Sequence, residues 1–184
     1  DASDDTLLDV YIAAMGAAFA RYCGYPPASV GAAPTLEPAT YTRYFEGRGG
    51  RDLELDVWPA TLITSVEDDP TLDFDGSTYL IASGDYALFE GAYVRLKSTA
   101  AHGAWSKSDE RRIKVVHQAG YATTPDDLAG LSRQAVKHAW DARTRQGKKK
   151  AAAAGSSADF SDHEFLPPFI RQALSGFRLP RAVL

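Results

Sequence analysis

The constraint that reaches furthest is a change of hydrophobic period inside residues 113 to 146, IKVVHQAGYATTPDDLAGLSRQAVKHAWDARTRQ. Ile113, Val115 and Val116 form an apolar, β-branched run of strand character that breaks at Gly120. A helix start follows. Thr124 suits the N-cap, and Pro125 suits the first helical position, where a missing N–H leaves nothing unsatisfied. Asp126 and Asp127 complement the positive end of the helix dipole. Beyond them Leu128, Leu131, Ala135, Val136, Ala139 and Trp140 recur at helical spacing, with Arg133, Lys137, Asp141 and Arg145 on the other side and Asp141 spaced to pair with Arg145. The pattern predicts a last strand handing the chain to a core helix at 123–146, so β material precedes it and helical material follows.

A chain of 184 residues can bury a real core, as one domain or as a helical domain carrying a compact β insertion. The single cysteine, Cys23, excludes an intrachain disulfide and fits a reducing compartment, where a lone cysteine behaves as a small apolar core residue. No apolar run approaches membrane-spanning length and the acidic start lacks a secretory n-region, so a soluble, unexported protein with no membrane partner is expected. Charge is uneven. Residues 1 to 130 hold 20 Asp and Glu against 10 Lys and Arg, whereas residues 131 to 184 hold 4 against 10. Such a split suggests separate faces for separate partners, and an acidic bulk argues against tight nucleic-acid binding.

The first 24 residues read as a helix. Ser3 can cap it, Asp4 and Asp5 sit in its first turn, and Gly24 is a natural stop. Leu8, Tyr11, Ile12, Met15, Phe19 and Tyr22 form an apolar stripe, beside a small-residue surface of Ala13, Ala14, Gly16, Ala17 and Ala18. This combination predicts close packing in a core or between subunits, the alternative being a ligand pocket.

Residues 25 to 122 read as a proline-rich connection followed by an inserted antiparallel β subdomain, a small sandwich or barrel. TYTRYFEG is expected to form a strand, Arg48 to Gly50 a turn, and DLELDVWP the return, with Leu53, Leu55 and Val57 alternating against acids. TLITSV, STYLIA, YALFE and AYVRLKS supply further strands, with Asp75-Gly76 as a hairpin turn. The stretch 98 to 112 reads as a long exposed loop.

Residues 147 to 164, with Lys148 to Lys150 and AAAAGSSA, read as a flexible basic, small-residue tether or, alternatively, a phosphate contact. From 165 to 184, FLPPFIRQALSGFRLPRAVL restores apolar density with three arginines and no acid. A short helix ending near Gly176 would place Phe169, Ile170 and Leu174 along one side. An apolar terminus after a tether predicts a segment that docks into another subunit; the alternative is that it folds back on its own helices.

Motifs for chemistry are absent. There is no phosphate loop, no G-x-S-x-G, no H-E-x-x-H and no cysteine pair, and His102, His117, His138 and His163 are not spaced as ligands. Asp162-His163-Glu164 sits beside the tether and reads as solvated. Asp68, Asp69, Asp73 and Asp75 crowd a turn where hairpin chemistry or weak calcium binding would account for them. No catalytic residue, cofactor or metal is expected, and an enzyme ranks below every binding or structural role.

Taken together, the chain resembles the head-tail connector (adaptor, or head completion) proteins of long-tailed bacteriophages and gene transfer agents. The residues that carry the resemblance are Ala119-Gly120-Tyr121 after a β run, Pro125 and Leu128 opening the next helix, Trp140 and Arg143 near its end, the stretch Tyr44 to Val66, and LPPFIRQALSGFR. The match departs at His117-Gln118, where Tyr-Thr is more usual, and in the long loop and tether. The resemblance implies a structural virion protein, assembled in the host cytoplasm and placed in the neck. There it would form a homo-oligomeric, dodecameric ring between the portal and a stopper or tail-side protein, extending the channel through which double-stranded DNA passes without sequence-specific binding. Phe165, Leu166, Pro167, Phe169, Ile170, Arg171, Leu174, Phe177, Arg178, Arg181 and Leu184 are then the expected portal contacts. Tyr11, Met15, Phe19, Arg133, Lys137 and Asp141 are the expected ring contacts. Another neck component, such as a stopper or tail terminator, or a cellular ligand-binding module without catalytic activity, is the alternative.

Overall fold

Helices that close one core and short strands that close another make this an α+β protein. The computed structural model describes residues 2–76, 78–143, 150–153, 156–159 and 166–179. Two units divide the chain: a helical one of Asp1–Cys23 with Thr124–Arg178, and a β one of Gly24–Thr123 with Leu179–Leu184.

The helical unit is built on α1 (Ala2–Cys23), α2 (Asp126–Arg143) and α3 (Pro168–Leu174). Because α1 begins at Ala2, Ser3 lies inside the first turn and not at a cap, while Gly24 at φ +88° ends the helix in the left-handed conformation that glycine adopts freely. The first helical bond of α2 runs from the Ala129 N–H to the Pro125 carbonyl at 2.9 Å, one residue later than a Thr124 cap would place it. Met15, Phe19, Cys23, Ala135, Ile170 and Leu174 are buried together in this unit. Full burial of Ile170 and Leu174 contributes roughly 1.5–3 kcal/mol for each side chain. Within the stretch read as a tether, Lys150–Ala153 and Ser156–Asp159 pair as a short antiparallel ladder.

In the β unit, one sheet has the order β1-β6-β3, from β1 (Ala39–Phe45), β6 (Ile113–Ala119) and β3 (Ala60–Asp68). The other has the order β2-β5-β4, from β2 (Asp52–Glu54), β5 (Tyr93–Leu96) and β4 (Tyr86–Phe89). The expected first hairpin does not form: β1 pairs with β6 and β2 with β5. The reason lies in the loop 98 to 112, which is anchored and not simply exposed. Trp105 is buried, its backbone N–H donates to the Gly50 carbonyl at 2.8 Å and its indole N–H to the Arg51 carbonyl at 2.9 Å. Gly47 lies so close that a Cβ there would sit 1.6 Å from the Ser106 carbonyl oxygen. The turn after β1 thus bonds this loop and carries β2 into the second sheet. Among its described residues STYLIA makes a single bridge, Glu67 with Leu80, since Asp69 draws the preceding chain into a tight loop.

Candidate interaction surfaces

The apolar stripe of α1 is covered over only part of its length. Met15 and Phe19 are almost wholly buried, whereas Leu8 and Ile12, two turns and one turn before Met15 on the same face, are 37% and 48% exposed. Between them and α2 runs a groove of about 630 Å³ lined by Leu8, Ile12, Arg133, Val136, Lys137 and Trp140. Its floor is held by ring contacts. Tyr11 meets Trp140 edge-on with centroids 6.2 Å apart, and the Arg143 guanidinium stacks 3.6 Å over the Trp140 ring while reaching Asp4 at 3.4 Å. Of the expected ring contacts, Met15 and Phe19 are therefore core of their own chain. Tyr11 borders the groove and Arg133, Lys137 and Asp141 are exposed, Lys137 pairing with Asp141 at 3.1 Å. Arg145, the expected partner of Asp141, lies outside the described residues.

The terminal segment is similarly divided. Ile170 and Leu174 are buried among their own helices and Pro167 is buried too, so none of the three offers a side chain to a partner. The Cys23 thiol donates to the Leu174 carbonyl at 3.9 Å, and burial pushes that thiol up to about 11. Phe169 faces outward at 51% exposure, Arg178 is exposed with its guanidinium 5.3 Å over the Tyr22 ring, and Leu166, Arg171 and Phe177 are half-buried. Phe165, Arg181 and Leu184 lie outside the described residues. Folding back and outward display thus coexist in one short helix, because α3 has an inner and an outer face.

Four ion pairs form within the β unit. Arg43 bonds Asp56, Arg112 bonds Asp68 at 2.8 Å, Lys114 bonds Glu67 at 3.0 Å, and Arg95 bonds Asp52 at 2.5 Å, holding that carboxyl below its usual range. Tyr41 and His117 are register partners across β1 and β6 with ring centroids 6.0 Å apart. Burial pushes the His117 imidazole below its ordinary value, with the nearby Asp56 charge acting the other way. The acidic turn shows turn chemistry. Burial would raise the Asp69 carboxyl, but bonds from the Thr71 hydroxyl and N–H, each 2.7 Å, and from the Phe74 N–H, 2.7 Å, outweigh it and lower its pKa. Those bonds hold Leu72 and Phe74 at positive φ, a strained state for bulky residues. Asp75 caps Thr78 through its backbone at 3.2 Å and its hydroxyl at 3.1 Å.

Among the described residues no group of three or more His, Cys, Asp or Glu is placed to hold a metal ion. His102 and His138 are exposed on separate elements, and His163 lies outside the described residues. No described helix is long and apolar enough to cross a membrane.

Comparison with known proteins yields no matching family model and no matching curated relative. Among solved structures, the fold is similar to a chain of the neck of a native gene transfer agent (GTA) particle computed with C12 symmetry, at 16% identity and a TM-score of 0.54. The match covers 96% of this chain and 84% of that one, so both units share in the likeness.

Proposed function

We propose that this chain is a structural, non-catalytic neck component of a phage or phage-derived particle. In this reading it assembles as a homo-oligomeric, dodecameric adaptor ring between the portal and a stopper or tail-side protein. The observation that carries the reading is the fold likeness to a GTA neck chain over nearly the whole length of both proteins. The residue physics supports it. A monomer that leaves an apolar groove open between α1 and α2 and displays Phe169 on α3, with Arg178 exposed beyond that helix, presents two separate docking surfaces. The exposed Phe169 and Arg178, with the half-buried Arg171 and Phe177, are the portal contacts in this reading, with the arginines meeting acids there.

The β unit faces the DNA channel or the tail-side protein. Residues 24 to 123 hold 14 Asp and Glu against 9 Lys and Arg, and a wall of that sign repels phosphate, letting double-stranded DNA slide without sticking. A lumen lined instead by Lys148 to Lys150 removes this placement. The deciding experiment is a particle assembly assay with the chain deleted or replaced by F169A/R171E. DNA-filled heads and free tails should accumulate unjoined in both cases, and the variant should lose copurification with the portal. Normal joining in the deletion strain would overturn the reading.

A further inference from the structure

The sheet β1-β6-β3 has one closed face and one open one. Residues opposite each other across antiparallel strands point to the same side, and neighbours along a strand point to opposite sides. Tyr41, Val115 and His117 thus share the closed face, where all three are buried. On the open face Tyr44 of β1, Lys114 of β6 and Glu67 of β3 form one row of register neighbours, which Leu80 extends by its bridge to Glu67. Lys114 and Glu67 neutralise each other at 3.0 Å, so the middle of the row carries no net charge. Its two ends are apolar and open, Tyr44 at 45% and Leu80 at 48% exposure. Phe74 lies over the row, its ring centroid 5.0 Å from that of Tyr44 and 5.6 Å from the Lys114 ammonium. Val116, two residues along β6 on the same face, is half-buried and continues the apolar surface.

The loop that brings Phe74 there is built in advance of any partner. The Asp69 carboxylate accepts from the Thr71 and Phe74 N–H groups, each at 2.7 Å, and holds Leu72 and Phe74 at positive φ, with Leu72 displayed at 44% exposure. A surface already ordered binds without the entropy loss of ordering it. Charge at this corner has one sign. Glu46, Asp73 and Asp75 are exposed around Tyr44 and Phe74, and Asp69 lies beneath them. The cations beside them are Arg112 and Lys114, already bonded to Asp68 and Glu67, and the exposed Arg111. Aromatic and leucine side chains over a neutral row, bordered by acids, are the composition of a protein-binding patch and not of a phosphate contact.

We infer that the open face of β1-β6-β3, centred on Tyr44, Phe74 and Leu80, is the docking surface for the tail-side protein, and that this partner presents an apolar patch bordered by Lys or Arg to meet Asp73 and its neighbouring acids. Charge selects among the occupants. DNA is repelled by the acidic corner. The portal, in the reading above, offers acids to Arg171 and Arg178, and a second copy of this chain is itself acidic at a net charge of −4. A basic-rimmed tail-side protein is the occupant that fits, and docking surfaces of opposite sign keep the two ends of the adaptor from exchanging partners. The inference rests on the adaptor reading and names the surface and chemistry of its second contact.

The test follows the joining of purified tails to DNA-filled heads that carry Tyr44→Ser, Leu80→Ser or Asp73→Lys in the full chain. Heads should hold each variant at the wild-type amount, because the portal contacts are untouched. Joining should fall by roughly tenfold for each serine variant and by less for Asp73→Lys. A photo-cross-linking residue in place of Tyr44 should, in joined particles, attach this chain to a tail-side protein; attachment to the portal, to DNA or to a second copy overturns the proposal. Cross-linking reads the contact even where a serine variant misfolds, and thermal melts identify such variants. Folded variants that join tails normally overturn this surface and leave the adaptor reading standing. Heads that lose a folded variant chain assign the face to the ring or the portal and also overturn it. Normal joining with the chain deleted overturns the adaptor reading and this inference with it.

Discussion

The two units solve the same folding problem to different degrees of completion. In the β unit the inward residues of both sheets, such as Val66, Val94, Leu96, Ile113 and Val115, are wholly buried, as are Leu55 and Val57 in the chain after β2, and Arg43, Arg95, Arg112 and Lys114 bond acids of the same unit. In the helical unit the core stops halfway along α1, and α3 buries one side while displaying Phe169 on the other. The β unit thus closes its core between two sheets, although it too displays apolar side chains such as Val30, Leu62 and Leu80 outside that core. The helical unit leaves its core open along one helix instead, and the difference teaches that a two-sheet core can close where a three-helix one with a short third helix stops partway.

The largest effect should come from the β core. Leu55→Ala should destabilise the protein by roughly 2–5 kcal/mol through lost transfer energy and an unfilled cavity, measured by urea titration. A loss under about 1 kcal/mol would mean that this core is not closed. Gly120→Ala should be of similar severity, because Gly120 sits at φ +125° and a Cβ there would lie 2.4 Å from the Glu37 carbonyl oxygen.

Next in size is the pH response of His117. Its pKa is lowered in the fold, so the unfolded chain takes up the proton first on acidification. The neutral-imidazole contribution is complete above the unfolded value of roughly 6.5 and falls away as pH drops toward the folded one, by at most about 1.4 kcal/mol per pH unit. Melting temperature should decline between about pH 7 and pH 5, and His117→Asn should flatten that slope; an unchanged slope in the variant would place the titration elsewhere. A milder consequence concerns Asp69. Asp69→Asn should leave global stability nearly intact yet speed amide exchange at Thr71 and Phe74, whose N–H groups its carboxylate holds. The smallest effect on the monomer is the most telling for the comparison. Ile12→Ser should change monomer stability by no more than about 0.5 kcal/mol, since the side chain is already half in solvent. If Ile12→Ser unfolds the monomer as Leu55→Ala does, the two units are alike and the contrast drawn between them fails.

Much of the architecture was legible because periodicity reports which side of an element faces a core. The β-branched run at Ile113 to Val116 is the central strand β6, flanked on both sides in its sheet, and the three-and-four spacing after Pro125 is α2. The alternation of Leu53, Leu55 and Val57 marks inward residues, yet the strand ends at Glu54 and pairs with β5, because a period of two says nothing about which strand lies alongside. Trp105 was the clue left unused: a large indole amid Ser, Gly and Lys signals an anchored loop, and its bonds to Gly50 and Arg51 are what divert the chain.

The candidate surfaces were legible only as composition. Leu8, Ile12, Met15 and Phe19 form one uninterrupted stripe in the sequence, and Phe169, Ile170 and Leu174 one apolar cluster. By itself the sequence determined that these residues lie on apolar helical faces, that acids gather in the first turns of α1 and α2, and that β material separates the two helices. Tertiary structure alone decided that α3 reaches Cys23 at the end of α1, that Met15 and Phe19 are buried while Leu8 and Ile12 are not, that Ile170 turns in and Phe169 turns out, and that β1 pairs with β6. The physical reason is that helical and strand periods are local properties of the backbone, whereas coverage depends on which distant segment arrives, and how far it extends.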